Sequence, residues 1–272
     1  MEPQRTAPRG SRARLCWVIG FIAAGVGCNK ELVVGMCAVS ENSEADASYS
    51  DAGLDGASID LPWHSGFEIG FCDFRRDGGF CYQRGTASFT LVSSPVHSGS
   101  FAAAFNVSSD TDAPGTQARC VRQGTLPKRA YYGAWYYVPV APVTAGFWNL
   151  FHFQGQSPGV DLHSLWDVQL TQGADGQIRL SIYDFLTPRQ IDIPAAPPIP
   201  FAQWFHVEFL FARAADGNGE IALFQDGNLL FDWNGKTDDS DSGQWYVGSL
   251  AVGQTPKETT VYVDDVTIDA TR

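Results

Sequence analysis

The run Phe147-Trp148-Asn149-Leu150-Phe151-His152-Phe153-Gln154 concentrates the side chains whose types and spacing could do chemistry. Side chains alternate along a strand. On that pattern Trp148, Leu150, His152 and Gln154 share one face, and Phe147, Asn149, Phe151 and Phe153 share the other. The second set has the composition of a core. The first becomes polar toward its end and suits a ligand-facing surface. Trp166-Asp167-Val168-Gln169 and the alternating Arg179, Ser181 and Tyr183 offer similar mixed faces. Aromatic faces stack on the C–H groups of a ring, while amides and carboxylates pair with hydroxyls. A ligand bearing a carboxylate allows a second chemistry. One group neutralises that carboxylate while a base, usually His or Tyr, removes the proton beside it. His152 and Gln154, completed by Arg122, Tyr183, Tyr131 or Tyr136, are the candidates for that work.

Strands must position these residues. From about Leu61 to the end, short β-branched and aromatic runs alternate with turn signals. Phe101 to Val107, Tyr131 to Val138, Leu165 to Leu170, Trp204 to Phe211 and Val261 to Ile268 are examples. Between runs stand Asp175-Gly176, Asp216-Gly217-Asn218-Gly219 and Asp226-Gly227, which are hairpin and loop signatures. A helical period is not sustained over ten residues anywhere. Many evenly spaced strands without βαβ alternation predict a sandwich or barrel. The 272 residues, 44% hydrophobic and 13% aromatic, are enough for one such core.

Charge narrows the partners. The chain carries a net charge of −12. Counted from Cys28 onward there are 14 basic and 29 acidic residues, a balance of −15. A nucleic-acid binder needs a basic footprint, and none is present. Between Gly66 and Ala130 the balance reverses locally, with seven basic residues against five acids.

The N-terminus reads as an export signal. Arg5, Arg9, Arg12 and Arg14 precede an apolar run from Leu15 to Gly27, which is short for a membrane span. The run ends in small residues before Cys28 and resembles a bacterial lipobox, where a cysteine at the cut site is diacylated. Gly27 fits that pattern and Gly25 departs from it. Ala38-Val39-Ser40 would serve an ordinary secretory cleavage, and an uncleaved anchor is the third alternative. The expected division is a signal over residues 1–27, a lipid anchor at Cys28 with an acidic tether to residue 60, and a folded domain over 61–272. Ser40 to Asp60 carries six acids and no base, and is too poor in large apolar groups to offset its ordering entropy. Cysteine use fits an oxidising compartment. Cys72 and Cys81 flank a turn signal and are expected to pair, leaving Cys37 and Cys120 to pair or stay free.

The order of motifs resembles the concanavalin A-like superfamily. It consists of Trp204-Phe205-His206-Val207, a hairpin, Asp226-Gly227, and a closing Val261-Tyr262-Val263-Asp264-Asp265-Val266. Gly66-Phe67-Glu68 and Pro95-Val96-His97-Ser98-Gly99-Ser100-Phe101-Ala102 look like the opening strands of polysaccharide-lyase-like and laminin-G-like members. The resemblance spans about residues 65–270 and implies an all-β, two-sheet antiparallel jelly roll. It also implies a structural calcium held by Glu68 with Asp264 or Asp265, since hard oxygen ligands suit that ion. Hydrolases of the superfamily carry E-x-D-x-E or E-x-D-x-x-E on one strand, and this sequence has neither. Related lyases place Gln and His two apart, in the reverse order to His152 and Gln154. G-x-S-x-G is also missing, which leaves serine chemistry without support. The leading expectation is therefore an exported, lipid-anchored protein that binds a polysaccharide or glycan through Trp148, His152, Gln154, Trp166 and Tyr183. A polysaccharide lyase using His152, Gln154, Arg122 and Tyr183 is the enzymatic alternative. A structural or adhesion module with a protein partner is the third.

Overall fold

The β-branched and aromatic runs form strands, joined at the Gly-, Asp- and Pro-rich turns. A computed structural model of the chain describes residues 58–76, 79–109, 115–144, 146–157, 159, 161–238, 240 and 242–272. The signal-like segment, Cys28, Cys37 and all but the last three residues of the acidic stretch lie outside the described residues. The strands, in chain order, are β1 (Trp63–Ser65), β2 (Phe80–Arg84), β3 (Ala87–Val92), β4 (Ala102–Ser108), β5 (Thr116–Gly124), β6 (Arg129–Tyr137), β7 (Val143–Thr144), β8 (Trp148–Gln156) and β9 (His163–Gln172). They continue with β10 (Ile178–Asp184), β11 (Arg189–Ile191), β12 (Trp204–Ala212), β13 (Gly219–Gln225), β14 (Asn228–Gly235), β15 (Ser242–Ala251), β16 (Gln254–Thr255) and β17 (Glu258–Asp269). One short helix, α1 (Cys72–Arg75), follows β1.

Two large antiparallel sheets result. The first runs β14-β13-β12-β6-β17-β4-β3, with β1 also on β17; the second runs β11-β10-β9-β8-β15-β5-β2. This is the two-sheet jelly-roll sandwich that the patterning and the motif order led us to expect.

The core fills the space between the sheets. Phe105, Tyr132, Tyr136, Phe205 and Phe209 of the first sheet and Phe151, Phe153, Val168, Ile182 and Trp245 of the second are fully buried. Phe153 meets the edge of the Tyr132 ring at 5.1 Å, and Phe151 meets Trp245 at 5.3 Å. Each such side chain contributes about 1.5–3 kcal/mol by leaving water. The packing fixes the second sheet as a rigid floor.

The disulfide departs from expectation. Cys81 on β2 stands directly opposite Cys120 on β5, with Cα atoms 4.0 Å apart, and the two are bonded. Cys72 is therefore not the partner of Cys81, and is itself disulfide-bonded elsewhere. Short spacing around a turn signal suggested a loop staple. Sheet register instead brings together cysteines separated by 39 positions.

Candidate functional site

The second sheet turns one face to the core and the other to a groove of about 880 Å³. Its floor is built by β5, β15, β8 and β9. Three local features aim the side chains into it. The alternation expected along β8 holds only to Leu150. A bulge there shifts the register against β9 between Asn149 and Phe151. After it, Phe151 and Phe153 point to the core, and His152 and Gln154 point into the groove beside Asn149. A bulge inserts one residue and so reverses which residues face outward. A second irregularity, opposite Phe153 and Gln154, does the same on β9. Leu165 and Trp166 both face the core, while Ser164, Asp167 and Gln169 face the groove. The third lies in β15, whose register with β8 shifts between Val247 and Leu250. Gly248 sits there at φ +134°, and a Cβ would lie 2.6 Å from the Ala118 carbonyl oxygen. Only glycine lets β15 press against β5 at this point, which seats Tyr246 beside Arg119.

Three expected site residues do not face the groove. Trp148 is fully buried and its indole N–H meets Ser249 Oγ at 3.2 Å. Trp166 is fully buried beside Trp233 and donates to the Thr237 carbonyl at 3.3 Å. Neither reaches the groove. Arg122 points to the core side of β5, where its guanidinium donates to the carbonyls of Asp73, Phe74 and Arg76 at 3.2, 3.2 and 2.6 Å and lies over the Trp63 ring. It locks α1 onto the sheet. His152, Gln154 and Tyr183 do line the groove. Tyr131 and Tyr136 do not. Tyr136 is fully buried, and its hydroxyl donates to the Leu150 carbonyl at 3.1 Å.

The groove gathers residues that the sequence reading missed. His152 Nδ1 stands 2.5 Å from Asp167 Oδ1, and Gln169 Nε2 donates to Asp167 Oδ2 at 3.0 Å. With both carboxylate oxygens occupied, the Nδ1–H···Oδ1 tautomer leaves the Nε2 lone pair directed away, with Ser164 Oγ at 3.5 Å. Tyr246 packs its ring 5.1 Å from the His152 ring. Its hydroxyl lies 2.6 Å from Gln154 Oε1 and also bonds Gln244 Oε1, while Gln244 Nε2 donates to Gln123 Oε1 at 2.7 Å. One phenolic proton serves one acceptor. Gln154 Oε1 and Gln244 Oε1 therefore share it in turn. Burial pushes the Tyr246 phenol well above its ordinary value, Tyr82 adds to this, and Arg119 opposes it.

Arg119 completes the floor. It donates through Nη2 to Asn149 Oδ1 at 2.8 Å and lies 5.5 Å from the centre of the Tyr246 ring. Its charge also pulls the Tyr82 phenol down against a larger upward push from burial. With its oxygen taken by Arg119, Asn149 has its amide N–H₂ available as a donor. A hydrogen-bonding cation and amide therefore sit beside an oriented imidazole and a protonated phenol.

The acids expected to hold calcium lie away from this groove. Glu68 accepts from the backbone N–H groups of Ser100 and Phe101 at 2.7 and 3.0 Å. Asp264 accepts from those of His97 and Ser98 at 2.9 and 3.2 Å, and Asp265 bonds His97 Nδ1 at 2.7 Å. Their oxygens anchor the loop before β4. Among the described residues no three His, Cys, Asp or Glu side chains form a metal-holding group.

No protein-family model matches the sequence, and no curated protein matches it. Solved structures do resemble the fold. The endo-β-1,4-glucuronan lyase from the fungus Trichoderma reesei aligns over 71% of this chain and 90% of its own, with TM-score 0.57 and 15% identity. Cellulose induced protein, Cip1, aligns over 77% of this chain and 97% of its own, with TM-score 0.54 and 14% identity. At such identities the likeness establishes the jelly-roll fold that the strand order already displays.

Proposed function

We propose that the groove is the active site of a polysaccharide lyase that cleaves a uronate-containing chain by β-elimination. The observation that carries the reading is the common floor shared by the His152–Asp167 pair, Tyr246 and the Arg119–Asn149 pair. Each matches one demand of the reaction. Arg119 and the Asn149 amide stabilise the substrate carboxylate as negative charge builds on it. His152 Nε2 takes the proton from the carbon beside the carboxylate. The electron pair of that C–H bond becomes a carbon–carbon double bond, and the adjacent carbon–oxygen glycosidic bond breaks. The departing oxygen receives the phenolic proton of Tyr246, which burial keeps in place until then. Asp167 holds the imidazole in the working tautomer and balances its charge after proton transfer. The fold shared with the glucuronan lyase is in keeping with this reading.

This changes the emphasis from holding a sugar to cleaving one. The aromatic platform that favoured simple binding loses Trp148 and Trp166 to the core. Tyr183 and Phe185, with ring centroids 4.7 Å apart at the groove wall, remain to hold a chain. The test is incubation of the purified domain with a broad panel of uronate polymers. Appearance of the ultraviolet-absorbing unsaturated uronate, lost in a His152→Ala protein, is expected. A flat trace across the panel would sink the reading.

The sequence of residues 1–28 supports export with a lipid on Cys28, so that the enzyme would work at the cell envelope. Metabolic labelling with a fatty acid should mark the wild-type chain and leave Cys28→Ser unlabelled. Labelling of both, or of neither, would reject the anchor.

A further inference from the structure

The geometry points to a heteropolymer as the substrate, one whose uronate is followed by neutral sugars on the β11 side of the groove, rather than a homopolyuronate. This rests on the lyase reading and narrows it by counting charges.

Among the described residues lining the groove, Arg119 is the one permanent cation. None of the undescribed positions between residues 58 and 272 is a lysine or arginine. Arg119 lies at the centre, committed to Asn149 and the reacting carboxylate. The neighbouring cations are distributed unevenly. Arg84 follows Tyr82 by two positions on β2 and stands exposed on the same face, so that mouth carries a cation. On the opposite side Arg179 is bound to Asp175 at 2.6 Å and Arg189 to Asp184 at 3.3 Å. What lines the groove there is Asp192, an exposed acid, together with Gln169, Gln172, Gln190 and Thr171.

A homopolyuronate would place a carboxylate in every sugar position. On the β11 side each would lose water without gaining a cation, and would approach Asp192. Like charges brought together at a binding surface cost enough to reject a partner. Amides and a hydroxyl are instead suited to sugar hydroxyls, which both donate and accept. The walls therefore favour neutral sugars on this side and tolerate a second acid only toward Arg84.

Two measurements on the whole chain test this. The first compares initial rates of unsaturated product from a polyglucuronate and from a length-matched polymer in which glucuronate alternates with a neutral hexose. The expected kcat/KM favours the alternating polymer by about tenfold or more. The gap should narrow at high salt and in Asp192→Lys, because it is electrostatic. The second measures calorimetric binding of size-matched oligosaccharides of both kinds to His152→Ala. Equal or better turnover of the polyglucuronate overturns this inference and leaves the lyase reading standing. Preferential binding of the alternating oligosaccharide with no product from either polymer or from the wider uronate panel supports the charge argument and rejects the lyase. No product from any of them and no preference rejects both.

Discussion

His152 and Asp167 sit directly across from one another on β8 and β9, and their side chains meet at 2.5 Å in the floor of the groove. Both are buried, and the second carboxylate oxygen is held by Gln169. An imidazole so held has one nitrogen to give to chemistry. Asp167→Asn should lower kcat by about 10²–10⁴-fold, because the amide can donate to Nδ1 and fix the wrong tautomer. Affinity for an oligosaccharide, measured by calorimetry, should change little. An Asp167→Asn enzyme with wild-type kcat would show that His152 does not depend on this pair.

In the proposed elimination Tyr246 is the second proton carrier. Tyr246→Phe removes the phenol and keeps the ring that packs against His152. Turnover should fall by about 10²–10⁴-fold, as for loss of a general acid. The vacated Gln154 and Gln244 amides lose a partner, which costs about 1–3 kcal/mol if neither finds water. Chemical denaturation would read that cost separately from the kinetics. Full activity in Tyr246→Phe would assign the leaving-group proton to another donor.

The fold was legible because strands announce themselves by composition and because turn signals fall between them. The site was legible only in part. His152, Gln154 and Tyr183 carry polar tips on aromatic strands, and that signal is local. Trp148 falls on the wrong face because strict alternation does not carry across the β8 bulge, and a bulge leaves little trace in one sequence; Trp166 alternates regularly with Asp167, and nothing local shows which of the two is inside. Asn149 was set among core residues because of the same β8 bulge. Arg119 and Arg122 lie three apart on one strand, so they face opposite ways, and nothing local shows which face is inside. Tyr246 lies about a hundred residues from His152 in the chain. Only the pairing of β15 with β8 brings them together.

That correction makes a prediction of its own. Trp148 fills the core and does not touch the groove. Trp148→Ala should therefore destabilise the protein by about 3–5 kcal/mol through a buried cavity. Trp148→Phe, a smaller loss of volume, should fold and lower the melting temperature while leaving oligosaccharide affinity within about twofold. A large loss of affinity in a well-folded Trp148→Phe protein would return this residue to the binding surface.

The opposite sheet carries a histidine whose environment predicts a pH effect on stability. His206 on β12 packs over Gly133, where a Cβ would lie 3.0 Å from Nε2, and beside Trp135 with ring centroids 5.2 Å apart. Burial lowers its pKa below the ordinary 6.5, Arg272 and His97 add to that, and Asp226 opposes them. The folded state therefore binds the proton more weakly than the unfolded state does. Stability from this group is complete above the unfolded value and is lost as pH falls through the folded one. Thermal unfolding followed from about pH 8 to about pH 5 should show a decline that is shallower in His206→Gln. The comparison between the two proteins isolates this histidine from the other titrating groups. Parallel curves for wild type and variant would mean that His206 is protonated as easily in the folded chain as in the unfolded one.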